Sequence, residues 1–322
     1  MRESGIVWDN HACLPFNDTE QWLPGIGRYR KSGVDAVTIN IGDSHVPLDV
    51  MIRTAASIRH YVQGHPGDYL LGLTTADLRA AKASGRLAVC FDVEGVFALG
   101  AQLSLVEFLY QIGVRWMLMV YNRRNLAGSG CHDPDDLGLT ELGRGILREM
   151  DRVGMIKCCS HTGYRTAREI LDSTDRPVIF SHSNPRRLRD HPRNIPDDLI
   201  KACAATGGVV GINGVGLFLG DGPPTADAVV RNIDYVAQLV GPEHVGLGLD
   251  YMFKGSGVEE PGRASRELWP REWGYGSGMG FLGPEAIPDI ASELGRLGYP
   301  PAALSGILGE NLMRVADVIW RP

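Results

Sequence analysis

The stretch Leu87-Ala88-Val89-Cys90-Phe91-Asp92-Val93-Glu94 decides the fold, because it is a short apolar, β-branched run that stops on a carboxylate and is followed by Gly95. Seven more runs of this kind can be read along the chain, at residues 6–11, 34–42, 114–121, 155–161, 177–183, 208–213 and 244–250. Longer amphipathic stretches lie between them. Residues 139–153, where Thr140 and Glu141 open the pattern, and residues 196–206, with Pro196, Asp197 and Asp198 in the first turn, read as helices. Eight strand-helix alternations without a second compositional regime predict one α/β domain over residues 1–322, a (β/α)8 TIM barrel. A doubly wound open sheet is the alternative, but no glycine-rich fingerprint follows the first strand. The Gly-rich stretch from Lys254 to Pro284 reads as a long loop after the eighth strand, with only a short helical stretch beyond it.

Composition limits the functions such a barrel can serve. The chain has 322 residues, 44% hydrophobic and 22% charged, enough for a large buried core. Its net charge is -6 and its Lys and Arg residues are scattered, which argues against a nucleic-acid partner. The first residues run almost directly into a strand and no apolar run reaches membrane-spanning length, so the expectation is a cytoplasmic protein without a membrane partner. Six cysteines, Cys13, Cys90, Cys131, Cys158, Cys159 and Cys203, have no disulfide or CxxC spacing and read mostly as small, reduced core residues.

The strand ends carry the chemistry. His11 and Cys13 alternate onto one side of the first strand, Glu94 ends the third, His161 the fifth, His182 the sixth and Asp250 the eighth. A single histidine at a strand end is ordinarily a hydrogen-bonded structural residue. A parallel barrel, however, gathers its strand ends on one face, and a carboxylate among several imidazoles is the set that zinc or a similar ion prefers.

The same residues carry a resemblance. Gly138-Leu139-Thr140-Glu141-Leu142-Gly143-Arg144, Ser160-His161, Pro177-Val178-Ile179-Phe180-Ser181-His182-Ser183, Arg193-Asn194-Ile195-Pro196-Asp197-Asp198 and Ile307-Leu308-Gly309-Glu310-Asn311-Leu312 follow one another as in the membrane dipeptidase (renal dipeptidase) family of the amidohydrolase superfamily. The resemblance covers nearly the whole chain. It implies a metal-dependent hydrolase barrel holding zinc, one or two ions per chain, with Glu94 bridging, His11 on one ion and His161 with His182 on the other. It implies further that the metal activates a hydroxide, that Arg193 grips the substrate carboxylate, and that Asp250 shuttles a proton to the leaving amine. A homodimer would fit the family. Outside the family context, Arg193 reads as a surface salt bridge.

Three positions depart from the family pattern. Cys13 stands where the family has aspartate, and reads either as a soft metal ligand or as a plain buried thiol. Tyr121 replaces a substrate-facing histidine, and either donates a hydrogen bond to a developing oxyanion or fills the barrel mouth. Cys158-Cys159 precede Ser160-His161 where the family usually has an acidic residue, which alters the surroundings of that histidine. His132 reads as a loop residue, either over the site or solvated. Trp269, Trp273 and Tyr275 suggest a wall or lid, or a dimer contact. The expected activity is hydrolysis of an amide bond in a dipeptide or similar small carboxylate-bearing substrate. The alternatives are a lactone, an N-substituted amino acid, or a barrel that binds a ligand after losing its first metal.

Overall fold

Each apolar run read from the sequence becomes a parallel strand. The computed structural model describes residues 5–16, 19–220, 222–253, 266–275 and 279–321. The barrel strands are β1 Trp8–Cys13, β2 Ala36–Asp43, β3 Leu87–Glu94, β4 Val114–Leu118, β5 Ile156–Cys158, β6 Val178–Ile179, β7 Val210–Ile212 and β8 Val245–Leu247. Pairing runs β6-β5-β4-β3-β2-β1-β8-β7. A parallel bridge between Phe180 and Val210 joins the two ends. There the Phe180 amide donates to the Val209 carbonyl at 3.0 Å and the Gly211 amide to the Phe180 carbonyl at 2.7 Å. Closure leaves no open edge among these strands, which removes the doubly wound alternative.

Two short strands were not anticipated. Tyr69–Leu71 pairs with the first half of β3, before β4 joins its second half, and Tyr251–Met252 pairs with the end of β1. The helix expected over 139–153 forms at Glu141–Val153, because the Thr140 hydroxyl accepts the Gly143 amide and Gly154, at φ 85°, ends it in a left-handed turn. The one expected over 196–206 forms at Asp197–Ala205. The C-terminal part is more helical than the sequence suggests. Helices Ile287–Arg296 and Asn311–Ile319 follow the loop, of which residues 254–265 and 276–278 lie outside the described residues. The last helix seals the end of the barrel opposite the site. Asn311 Nδ2 donates to the carbonyls of Pro242 and Val245, and Trp320 meets Trp8 edge-on at 5.7 Å.

The barrel axis is filled directly below its C-terminal mouth. Trp116 on β4 is fully buried, with its indole N–H donating to Asn10 Oδ1 at 3.1 Å and its ring 5.4 Å from that of His11. It forms the floor of the site. All six cysteines are free, and all but Cys131 are buried, as expected of core thiols. No helix among the described residues is long and apolar enough to cross a membrane.

Barrel closure also explains two glycines. A Cβ on Gly211 or on Gly248 would collide with the Ser181 carbonyl, so the backbone just past β6 lies closer to its neighbours than a side chain allows. Gly211→Ala should therefore cost about 1–3 kcal/mol, seen as a lowered thermal midpoint by circular dichroism. A midpoint equal to that of the native chain would mean that the closing seam is looser than described.

Candidate metal centre

Three histidines meet at the barrel mouth, two of them with a fixed orientation. His11 on β1 has Nδ1 3.1 Å from Asp92 Oδ2, and the other oxygen of Asp92 accepts Asn40 Nδ2 at 2.8 Å. A carboxylate offers acceptors, so Nδ1 carries a proton and Nε2 is the nitrogen turned toward the cavity. His161 Nδ1 lies 2.7 Å from Asn122 Oδ1, an amide whose Nδ2 donates to the Leu268 carbonyl at 3.1 Å. The same tautomer follows. His182 Nδ1 lies 2.7 Å from Ser181 Oγ.

All three Nε2 atoms face one oxygen. Glu94 Oε1, at the end of β3, is 3.6 Å from His11, 3.3 Å from His161 and 3.1 Å from His182. It is buried without a hydrogen-bond partner. Asp250 Oδ1 and Cys13 Sγ each lie 3.4 Å from His11 Nε2, while Asp250 Oδ2 accepts Asn213 Nδ2 at 2.9 Å. Two overlapping ligand groups result, His11 with Cys13 and Asp250, and His11 with Glu94 and His182. Desolvation dominates their electrostatics. Burial pushes the Glu94 carboxyl up to about 8 and holds His161 and His182 well below the ordinary imidazole range, hence neutral. Burial also works against charge on His11, but Cys13, Asp92 and Glu94 around it raise it well above its ordinary value. Burial likewise pushes the Cys13 thiol up. Lone pairs crowded around an oxygen that lacks a donor are what a divalent cation relieves, and this mixed N, O and S set fits one.

The backbone turns to aim these groups. His161, His182 and Asp250 lie not in strands but three residues past the ends of β5, β6 and β8, at Cys158, Ile179 and Leu247, and Tyr121 lies equally far past Leu118 of β4. Among the described residues the only positive-φ positions that are not glycine are Asn122 at 56°, His161 at 61° and Asp250 at 57°, all in this site. Left-handed backbone costs of order 1–3 kcal/mol per residue, although Asn, Asp and His tolerate it best.

The remaining expected residues fall into two groups. Tyr121 stacks on His161 at 4.2 Å between ring centres and lines the cavity above Glu94, with Trp269 and Tyr275 in the same wall. Arg193 is not a surface ion pair. It is 2% exposed and donates from Nη1 to Ser183 Oγ at 3.0 Å and from Nη2 to the His182 carbonyl at 2.8 Å, with Nε unpaired and the group set back behind the cavity lining. His132 is neither solvated nor over the ligands. It is 6% exposed, its Nε2 lies 3.0 Å from the Tyr275 hydroxyl, and burial lowers it to about 3, so it props the wall from behind as a neutral ring. Trp273 stays exposed beside it. Sequence reasoning missed Asp92, Asn40, Asn122 and Asn213, the groups that orient the side chains of the site. For Asp92 there was a signal, since it shares a strand face with Glu94 two residues on.

Comparison with known proteins agrees with the barrel fold. The family model for membrane dipeptidase (Peptidase family M19) matches residues 43–266, a span that begins after His11 and Cys13. Dipeptidase verJ of Clonostachys rogersoniana is 29% identical over 254 residues, 77% of this chain and 60% of that protein. An uncharacterized dipeptidase of Schizosaccharomyces pombe is 32% identical over 228 residues, 69% of this chain and 51% of that protein. The chain thus spans about half to three-fifths of the length of these curated relatives. A crystal structure of an amidohydrolase from Pseudomonas aeruginosa superposes with a TM-score of 0.86 at 29% identity, covering 99% of this chain and 97% of that one. With well over half of its length matched by the family model, the chain belongs to the membrane dipeptidase family.

Proposed function

We propose that the protein is a metal-dependent hydrolase that holds zinc and cleaves the amide bond of a dipeptide or a similar small substrate with a free carboxylate. The observation that carries this reading is the buried Glu94 Oε1 without a donor, faced by three imidazole Nε2 atoms at the mouth of a barrel of this family. Glu94, His11, His161 and His182 would hold the metal, with Cys13 as a soft ligand beside His11. The chemistry a divalent ion supplies in such a site is polarisation of a carbonyl oxygen and acidification of a water. The chain's own groups do the rest. Asp250, with one oxygen held by Asn213 and the other facing the cavity, takes the proton of the attacking water and returns it to the leaving nitrogen. Tyr121, in the wall above Glu94, donates to the developing oxyanion. Arg193 would meet the substrate carboxylate only through its unpaired Nε–H, since its other nitrogens are anchored on Ser183 and the His182 carbonyl and the group stands behind the cavity lining.

The metal assignment is tested by elemental analysis after zinc loading and desalting, beside a panel of L,L and L,D dipeptides. The native chain should keep one or two ions and turn over at least one member, whereas Glu94→Gln should lose both metal and turnover. Full metal and full activity in that variant would sink the assignment. For Cys13, replacement by Ala should weaken zinc retention by at least about tenfold while replacement by Asp preserves it, and equal retention in both would make Cys13 a bystander thiol. Asp250→Asn should lower kcat by about 10²–10⁴-fold with zinc content unchanged. Metal lost together with activity would instead make Asp250 a ligand.

A further inference from the structure

Strand β2 brings two acceptors to the cavity that the chemistry above does not use. Asn40 is fully buried and lines the cavity; its Nδ2 donates to Asp92 at 2.8 Å, which leaves Oδ1 as an acceptor without a donor. Asp43, at the end of the same strand, lines the cavity as well. Among the described residues its hydrogen-bond partner is the His45 amide, 2.9 Å from Oδ1, with the His45 ring 3.6 Å from the same oxygen. Residues 40 and 43 would face opposite sides of a regular strand. They share a side because the pairing with β3 slips between them. Asn40 stands opposite Asp92 and Asp43 opposite Glu94, so Ile41 and Gly42 together stand opposite the single residue Val93. Gly42 turns outward, where a Cβ would strike Met51 on the helix Leu48–Gly64, and Asp43 is thereby swung back over the mouth.

The charges around the cavity are unbalanced. Asp43, Glu94 and Asp250 line it, and none of its described lining residues is Lys or Arg. In the metal centre proposed above, Glu94 serves the metal and Asp250 the travelling proton, so Asp43 is the carboxylate left over. The wall beside it is aromatic, with Trp269 5.9 Å from the His45 ring and 6.0 Å, edge-on, from that of Tyr121. A carboxylate and a neutral acceptor beside aromatic faces form a setting that a primary ammonium group fills, with N–H donors for both and its charge against the rings. Placement agrees. Asp43 is the pairing neighbour of Glu94, one strand spacing or about 4.8 Å away, and in a dipeptide one carbon separates the amino nitrogen from the scissile carbonyl. In the closed barrel β2 also lies opposite β6, four strands away in either direction. Arg193 is anchored just past the end of β6, on the His182 carbonyl and Ser183. A zwitterion laid across the mouth therefore has an opposite charge on the side of each of its ends.

We propose that Asp43 and Asn40 form an ammonium subsite that selects substrates with a free α-amino group on the acyl side of the scissile amide. The subsite rests on the hydrolase reading above and narrows it, favouring a free dipeptide over an N-acyl amino acid. The latter has the same scissile amide but no amino group, and leaves Asp43 without its counter-charge. The amino group takes no part in bond cleavage. The subsite therefore contributes equally to ground state and transition state, and its loss falls on KM more than on kcat.

The test compares, on the zinc-loaded full-length chain, the panel dipeptide turned over fastest with its desamino analogue, an N-acyl amino acid in which hydrogen replaces the amino group. The native chain should favour the dipeptide by at least about 100-fold in kcat/KM. Asp43→Asn should bring that ratio to within about tenfold, chiefly by raising KM for the dipeptide, and Asp43→Glu, which retains the charge, should keep most of it. Circular dichroism and elemental analysis establish that the variants are folded and hold as much zinc as the native chain. A native chain that cleaves the desamino analogue as readily as the dipeptide, or an unchanged ratio in folded Asp43→Asn, overturns the subsite while the hydrolase reading stands. Zinc bound with neither dipeptides nor analogues cleaved overturns the hydrolase reading and the subsite with it.

Discussion

An unpaired carboxylate oxygen at the mouth of the barrel is the constraint around which this structure is arranged. Glu94 Oε1 is cut off from solvent and from hydrogen-bond donors, and the groups nearest to it are imidazole nitrogens aimed at it by partners on their far sides. In water each of these groups would be solvated separately. Inside the barrel, desolvation raises the Glu94 carboxyl and keeps His161 and His182 neutral, while the acidic groups around His11 raise it, so the cluster favours positive charge. The fold holds the groups in this unfavourable proximity because Trp116 blocks the axis beneath them and the strands cannot separate without opening a closed barrel.

Local backbone geometry adds to this. Four of the residues in the site stand three positions beyond the last paired residue of a strand, and two of them, His161 and Asp250, adopt left-handed conformations, as does Asn122 beside Tyr121. Strands fix direction and the turns after them fix aim. The partners behind the ligands finish the orientation, since Asp92, Asn122 and Asn213 each offer an acceptor or donor of one sense only where it is used. Ser181 is the exception, and its ability to work in both senses separates His182 from its neighbours.

The three departures from the family pattern look different once placed. Cys13 sits within reach of His11 Nε2, where a ligand would, and shares Asp250 as a neighbour. Tyr121 lies flat on His161 and so covers that ring as well as facing the cavity. Cys158, one of the two cysteines standing where the family usually has an acidic residue, donates to Ser181 behind His182.

The sequence by itself determined the barrel and most of the polar residues that meet at its mouth. Strand-forming runs that stop on polar residues are local signals, and in a parallel barrel every strand end points to the same face, so His11, Glu94, His161, His182 and Asp250 were legible before any distance was known. Only the tertiary structure decided the rest. It showed that Arg193 is buried and bound to the backbone of His182, that His132 props Tyr275 from behind, and which nitrogen of each histidine faces the cavity. These facts depend on contacts between residues distant in the chain. Hydrogen-bond sense and burial belong to pairs of groups in space, and a linear pattern of residue types carries no information about which pairs will meet.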